Sequence, residues 1–303
     1  MVKIIIVNYN SGKWIARCLS SIQQAGLIDH TIIVDNASGD NSVLFIEQHF
    51  PQADLIKLSS NLGFGQANNL GIKKAVEQGS DYVFLMNQDV YIEPFTIETL
   101  IKIAELHPDF GILSPIHLNG NGSELDFGFS NYIAPLKCRK LYSDLFLQKL
   151  TPLYEVPFVN AAAWLLTKKC VEKVGGFNPS FYHYGEDDNY CQRVLFHGLK
   201  IGVVPESIIY HDRENRTENI YFDDTALVHK RKLIKMFSDP FNSKESVSTV
   251  YLDCLKTMMK SLFKFNFKSF KEQYNRMIMY NSMDWKMIHH NKKQSINKGK
   301  NFL

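Results

Sequence analysis

Four times in its first ninety residues the chain runs from a short unbroken apolar stretch through a polar turn. Each of the first three turns leads into a segment whose apolar positions recur at helical spacing. KIIIVNYN (3–10) is short and β-branched, which predicts a buried strand, and SGKWIARCLSSIQQAG after it has the 3.6-residue period of a helix. HTIIVDNASGDNSVLFIEQHF repeats the unit, with a strand over 31–35, an Asn-Ala-Ser-Gly turn and a helix capped by Asp40 or Asn41. ADLIKLS is a third strand, NLGFGQANNLGIKKAVEQG a third loop and helix, and SDYVFLMNQDV a fourth strand. Because the strands are continuously apolar rather than alternating, both of their faces must be covered. The fold class is therefore α/β, a mostly parallel sheet with helices on both faces.

The later pattern is more varied. FTIETLIKIAELH predicts a helix, whereas 111–157 is irregular and loop-rich, with GNGS marking a short hairpin. FVNAAAWLLTKKCVEKVGGF predicts a strand and short helix. FYHYGEDDNYCQRVLFHGLKIGVVPESIIYH predicts a polar loop, a helix from about Glu186 and two short strands. Beyond Asp212 there is no sheet signal. ALVHKRKLIKMF, VSTVYLDCLKTMMKSLFKF and FKSFKEQYNRMIMYNSM have helical spacing, and the tail HHNKKQSINKGKN is expected to fray. The chain divides into a sheet-bearing part, 1–224, and a helical segment, 225–303.

In open parallel sheets ligands bind outside the carboxyl ends of the strands. That rule gathers Asn8 to Ser11, Asp35 to Ser38, Asn61 to Asn69 and Asn87 to Asp89 on one edge. Asp35 alone would read as a cap or turn former. Together with Asn8, Asn10, Asn36, Asn61, Asn68, Asn69, Asn87 and Gln88 it forms a set of amides and one carboxylate suited to the edges of a nucleobase and ribose. The glycines of NLGFGQANN, Gly63 and Gly65, lack the third glycine of a dinucleotide fingerprint, since Asn68 stands there. They also follow the third strand instead of the first, so they do not make a dinucleotide fold and serve equally as a turn feeding a helix. Asp89, at the end of the fourth strand, is where a hard divalent cation, Mg or Mn, would sit, with His211 as a candidate second ligand. Glu186, Asp187 and Asp188 fall at a helix start. The helix dipole alone would accommodate them there, but three adjacent acids also raise one another's pKa and can supply a general base. Arg193, two turns on, is positioned to hold one of those acids ionised.

Charge separates the two parts. Thr225 to Leu303 carries 16 Lys and Arg against 5 Asp and Glu, a net +11, leaving −8 for the rest of a chain whose total is +3. An acidic first part without a recognition motif speaks against nucleic acid as partner. The five cysteines are scattered and odd in number, which argues against a disulfide framework or a zinc site and for a reducing, cytoplasmic setting. No apolar run approaches membrane-spanning length, and the N-terminal run is too short for a signal peptide. The basic helices are open to three readings: a subdomain packed on the sheet, a peripheral contact with the inner face of an anionic cell membrane, or a homodimer contact.

The order VNYN, IIVDNASGDNS, NLGFGQANNLGI, FLMNQDV, GGFNPSFYHYGEDDNYCQR and IIYH resembles family 2 glycosyltransferases of the GT-A fold. The likeness is strongest to bacterial rhamnosyltransferase and galactofuranosyltransferase-like members that build surface polysaccharides, and it covers about Met1 to Asp212. It implies an inverting enzyme that moves a sugar from a nucleoside diphosphate donor, dTDP-rhamnose or a UDP-sugar, to a hydroxyl of a glycan or lipid-linked glycan acceptor. By the same resemblance Asp35 reads the base, Asn8 and Tyr9 line the nucleotide pocket, and Asn61 lies near the ribose and diphosphate. Asp89 and His211 would hold the metal, Asp187 would be the base, and Glu186 would position the acceptor. Two departures stand out: Asn87 replaces the first acid of the family's Asp-x-Asp, and Ala161 replaces a glycine common before the GGF segment, narrowing the sugar space. Two other readings compete, a nucleotide-sugar-binding protein with a decayed metal site and a nucleotidyltransferase. The latter would want a basic glycine-rich loop after the first strand, where only Gly12 and Lys13 occur.

Overall fold

The apolar runs fold as their pattern predicts. In β1 (Val2–Asn8), Ile4 and Ile6 enter one core layer and Ile5 the other, all fully buried. A strand covered on both faces has no solvent side to alternate toward. The structure is a computed structural model describing residues 1–213, 224–243 and 246–303. Helix α1 (Ile15–Gln24), β2 (Thr31–Asp35), α2 (Ser42–His49), β3 (Asp54–Lys57), α3 (Phe64–Glu77) and β4 (Tyr82–Asn87) complete the first half. Its strands lie in the order β3, β2, β1, β4, all parallel.

The second half is mixed. After β5 (Val90–Ile92) and α4 (Thr96–Leu106) comes β6 (Phe110–Asn119), a ten-residue strand inside the stretch that sequence pattern reads as irregular. Two short helices, α5 (Phe127–Ser130) and α6 (Leu141–Phe146), β7 (Tyr154–Glu155), β8 (Ala163–Thr167), α7 (Lys168–Val174), α8 (Glu186–Phe196) and β9 (Lys200–His211) follow. The sheet continues β4, β8, β6, β9, β5, with β8 antiparallel to both neighbours and β6 parallel to β9. The two short strands expected before His211 are one strand, β9. Its register against β6 slips between Val204 and Ile208, and that irregularity around Pro205 reads in sequence as a break. The expected hairpin is present at the end of β6, where Leu118 bridges Leu125 and the Asp126 N–H donates to the His117 carbonyl.

Four further helices are described: α9 (Thr225–Ser238), α10 (Val247–Phe263), α11 (Phe267–Asn281) and α12 (Trp285–Ile296). The tail does not fray. Asp284 caps α12 by accepting from Met287 N at 2.9 Å, and the helix buries Ile288, Asn291 and Ser295. Past its end, Gly299 N donates to the Lys173 carbonyl at 3.1 Å and Gly176 N donates to the Asn301 carbonyl at 2.7 Å. Gly175, at φ +78°, admits this contact because a Cβ there would collide with the Asn301 backbone. Leu303 packs on the core beside the sheet.

Candidate active site

Strand register builds one edge. Asn8 stands opposite Asp35 and Val7 opposite Asn87, so the ends of β1, β2 and β4 share one level. A cavity of about 590 Å³ opens beyond them, lined among others by Tyr9, Asn36, Asn61, Gly63, Asn87, Gln88, Asp89, Ala161, Glu186, Asp187 and His211. Asn8 and Asp35 lie one layer behind it. Asn8 Nδ2 donates to Asp35 Oδ1 at 2.7 Å, and Ser38 donates through both its N and Oγ to the same carboxylate. Asn10, left-handed at φ +49°, braces the next turn by accepting from Gly39 N. Asn68 is turned away, donating to the Phe64 carbonyl within α3, and Asn69 is buried holding both N and O of Phe177. These two are scaffold side chains and do not line the cavity, because helical rotation carries them past its mouth.

The amides that do reach the cavity divide by function. Asn36 and Asn61 tie the second and third loops together, with Asn36 Nδ2 donating to Asn61 Oδ1 at 3.0 Å. Gln88 is not free to meet a ligand with its amide: Oε1 accepts from Tyr9 N at 2.7 Å and Nε2 donates to Tyr9 O. Its role is to fix Tyr9, whose half-exposed ring faces the cavity. Asn87 Oδ1, in contrast, is buried without a hydrogen-bond partner, as is the Oδ1 of Asn160, which also lines the cavity. Buried acceptors left unmatched are costly, and both are suited to a cation or a ligand hydroxyl. Gly63, at φ +83°, lets the third loop touch the loop after Phe181, since a Cβ would strike the Tyr182 carbonyl.

Asp89 and His211 are linked after all. The sequence offers no connection between them, but β5 pairs antiparallel with β9, Val90 opposite His211, and Asp212 N donates to the Asp89 carbonyl at 2.9 Å. His211 Nε2 is 3.6 Å from Asp89 Oδ1 and its Nδ1 is 3.5 Å from Asp126 Oδ2, with neither ring nitrogen in a hydrogen bond. Asp126 caps α5 and pairs with Arg213, whose side chain also lines the cavity. Asp126, Asn160 and Arg213 are absent from the sequence reading. The hairpin after β6 that delivers Asp126 has no clear pattern, although Arg213, two residues past His211, could have been found by extending the strand end. One carboxylate oxygen and one borderline imidazole nitrogen, in a cavity also lined by Asn87 with its unmatched oxygen, form a donor set that suits Mn and, with more oxygens from a ligand, Mg. Among the described residues no three His, Cys, Asp or Glu side chains converge to enclose a cation, so the ligand would have to supply the remaining oxygens.

The opposite wall is acidic. Gly185, left-handed at φ +92°, starts α8 so that Glu186 and Asp187 face the cavity, while Asp188 is drawn outward to Lys235 of α9 at 3.1 Å. Burial pushes Glu186 well above the usual glutamate range, and the neighbouring Asp187 charge pushes further. Burial also raises Asp187, with the Asp188 charge adding to it, while backbone amides including that of Ala161 pull in the other direction. The stronger push is on Glu186, whose Oε2 has no hydrogen-bond partner. Glu186 therefore holds its proton more strongly than half-buried Asp187, which ionises first of the two.

Arg193 does not lie under these acids, contrary to the sequence expectation. Its guanidinium is fully buried and donates to the Gly176 carbonyl at 2.6 Å and to the Val174 carbonyl, with the Phe302 ring 4.9 Å away. It thus holds the loop leading to Asp187 from beneath. Phe181 of that loop packs with Leu233, Phe237 and Ile288 of the C-terminal helices, and Asn291 Nδ2 donates to Ser180 Oγ at 2.9 Å.

Comparison with known proteins agrees with this geometry. A family profile described as Glycosyl transferase family 2 matches residues 3–175, and one described as N-terminal domain of galactosyltransferase matches 144–215. The chain is similar to the N-acetylglucosaminyl-diphospho-decaprenol L-rhamnosyltransferase of Mycobacterium tuberculosis, 24% identical over 77% of this chain and 83% of that one. It is also similar to the rhamnosyltransferase WbbL of Escherichia coli, 24% identical over 72% and 86% respectively. Among solved structures, S. aureus TarS 1–349 in complex with UDP-GlcNAc superposes with a TM-score of 0.56 at 16% identity, covering 81% of this chain and 68% of TarS. GalNAc-T7 with UDP, GalNAc and Mn2+ superposes at 0.58 and 14%, covering 82% and 53%.

Proposed function

Because this chain belongs to glycosyl transferase family 2, we propose that it is an inverting glycosyltransferase using a nucleoside diphosphate sugar, dTDP-rhamnose before a UDP-sugar, and a glycan or lipid-linked glycan hydroxyl. The observation that carries the mechanism is the facing of two walls across one cavity, Asp89 with His211 on the sheet edge and Glu186 with Asp187 on α8. The nucleoside would lie along Tyr9, Asn36 and Asn61, with Asp35 reached from behind. Arg213 is suited to the diphosphate by charge and planar geometry. Asp187, ionised, would take the acceptor hydroxyl proton as that oxygen attacks the anomeric carbon from the face opposite the diphosphate. Glu186, protonated, would donate a hydrogen bond to the acceptor. Asp89 and His211 would hold Mg or Mn, which when bound neutralises charge on the diphosphate. Ala161, which lines the cavity, would crowd the sugar side.

The enzyme would work at the cytoplasmic face of a membrane. The rhamnosyl donor is favoured because two similar proteins are named rhamnosyltransferases. A donor panel tests this: thermal stabilisation by dTDP-rhamnose and by UDP-sugars, with and without Mn, followed by determination of the product's anomeric configuration. Stabilisation follows ligand binding by mass action. Inversion with one preferred donor is expected, and retention of configuration would overturn the single-displacement mechanism.

A further inference from the structure

The apolar stripes of α10 and α11 do not pack on the sheet. Of the large apolar residues in α10, Leu252, Leu255, Met259 and Phe263 are 54%, 44%, 54% and 79% exposed, and they recur at the spacing of one helical face. The turn between the helices shows Phe265 and Phe267 at 81% and 68% exposure, and α11 adds Tyr274 and Ile278. Phe265 takes a left-handed backbone, φ +52°, and Asn266 N donates to the Ser261 carbonyl, so the turn is tight and projects its aromatic residues. Ser261 and Ser269 meet across it at 2.8 Å, and Cys254 Sγ donates to the Gln273 carbonyl, so small side chains close the inner face of the pair. The pair is fastened to the protein through Cys254, Tyr280 and Met283, at the end away from the turn.

Cations flank the apolar face. Lys256, Lys260, Lys264, Lys268 and Lys271 are all exposed, and residues 247–281 contain 6 Lys and Arg against 2 Asp and Glu. We propose that this helical hairpin is a membrane anchor that lies on an anionic bilayer, with Phe263, Phe265 and Phe267 among the acyl chains and the lysines at the headgroups. No described helix is long and apolar enough to cross a membrane, so the contact is interfacial. A second copy of the chain fits the face less well, because a twofold contact would set the same cations against one another. A bilayer satisfies both the apolar stripe and the charge. The proposal deepens the functional reading, since a lipid-linked acceptor would be met at that surface, but it does not depend on transfer chemistry.

The test is co-sedimentation of the full chain with phosphatidylcholine vesicles and with vesicles in which a third of the lipid is phosphatidylglycerol. Binding is expected only to the anionic vesicles and is expected to weaken with salt. Phe263→Ser with Phe265→Ser and Phe267→Ser should weaken it about a hundredfold or more. Lys264→Glu with Lys268→Glu should weaken it about tenfold or more. These side chains are exposed, and an unchanged thermal melt for the variants would place the loss at the surface. Transfer to a water-soluble acceptor should be unaffected in both variants. The proposal is overturned if wild-type protein ignores anionic vesicles, or if the face proves to be a self-association surface, with light scattering showing a dimer that the phenylalanine variant dissolves. Loss of transfer with vesicle binding intact would instead count against the glycosyltransferase mechanism and leave the anchor standing.

Discussion

The two sides of the cavity are built on opposite terms. At and behind the sheet edge, Asn8, Asp35, Ser38, Asn36 and Asn61 are joined by hydrogen bonds between neighbouring strand-end loops, as in the Asn8–Asp35 contact with its separation of 27 and the Asn36–Asn61 contact with its separation of 25. On the acidic side, burial raises both Glu186 and Asp187, with the Asp187 charge adding to the first and the Asp188 charge to the second, and the loop beneath them is held by residues from the far end of the chain. The Asn291–Ser180 bond spans 111 positions and the His197–Ser295 bond spans 98. A saturated network gives a rigid, pre-shaped surface that can recognise a ligand by shape. A strained pair of acids stores the readiness to take a proton, and needs external bracing to persist.

The difference can be broken from either side. Asp89→Ala should have the largest effect on donor binding: with Mn present, donor affinity measured by calorimetry should fall at least about tenfold, and the gain in stabilisation that Mn gives the wild type should vanish. Next comes removal of Gly299 to Leu303, which takes away the Asn301 backbone bonds and the Phe302 ring on Arg193. Stability should fall by about 2 kcal/mol and kcat should fall more than donor affinity, because the loop leading to Asp187 loosens while the sheet edge does not. Equal losses in kcat and donor binding would show that the tail supports both sides alike.

Gly63→Ala acts at the seam between the sides. It forces a Cβ into the Tyr182 carbonyl at a backbone angle favouring glycine, and a cost of about 1–3 kcal/mol in a denaturant melt is expected. Glu186→Gln should give the smallest change and the most informative one. A carboxyl whose folded pKa is raised stabilises the fold most at low pH. That stability is lost as pH rises from the ordinary glutamate range toward neutrality. Under the proposed mechanism catalysis would run the other way, since Asp187 would have to be ionised. The glutamine variant should therefore flatten the fall in melting temperature over that window, by about 1 kcal/mol at its upper end.

The same contrast explains what could be read without a structure. β1, β2 and β4 and their loops were legible because each strand carries a continuous apolar run with a polar cluster directly at its end, while β3, the half-buried DLIK, was legible from its place in the repeat. β6 was not, because FGILSPIHLN contains a proline and three polar residues, and the strand pairs only with distant β8 and β9. Arg193 was misplaced for a related reason. Its partners are the carbonyls closing α7 and the ring of Phe302, and nothing local to α8 marks them. The tail HHNKKQSINKGKN was read as frayed from its polarity. Its order comes from Ile288 and Asn291 meeting the loop of Ser180 and Phe181, and from Ser295 meeting His197 at the end of α8, partners about a hundred residues earlier in the chain that composition does not carry.

The most direct measurement is turnover and donor binding in Asp187→Asn, with the preferred donor and an acceptor that the wild type glycosylates. Asparagine keeps the shape and removes the base. The account predicts that turnover falls by about a thousandfold while calorimetric donor affinity stays near wild type. Full transfer activity in this variant would contradict it.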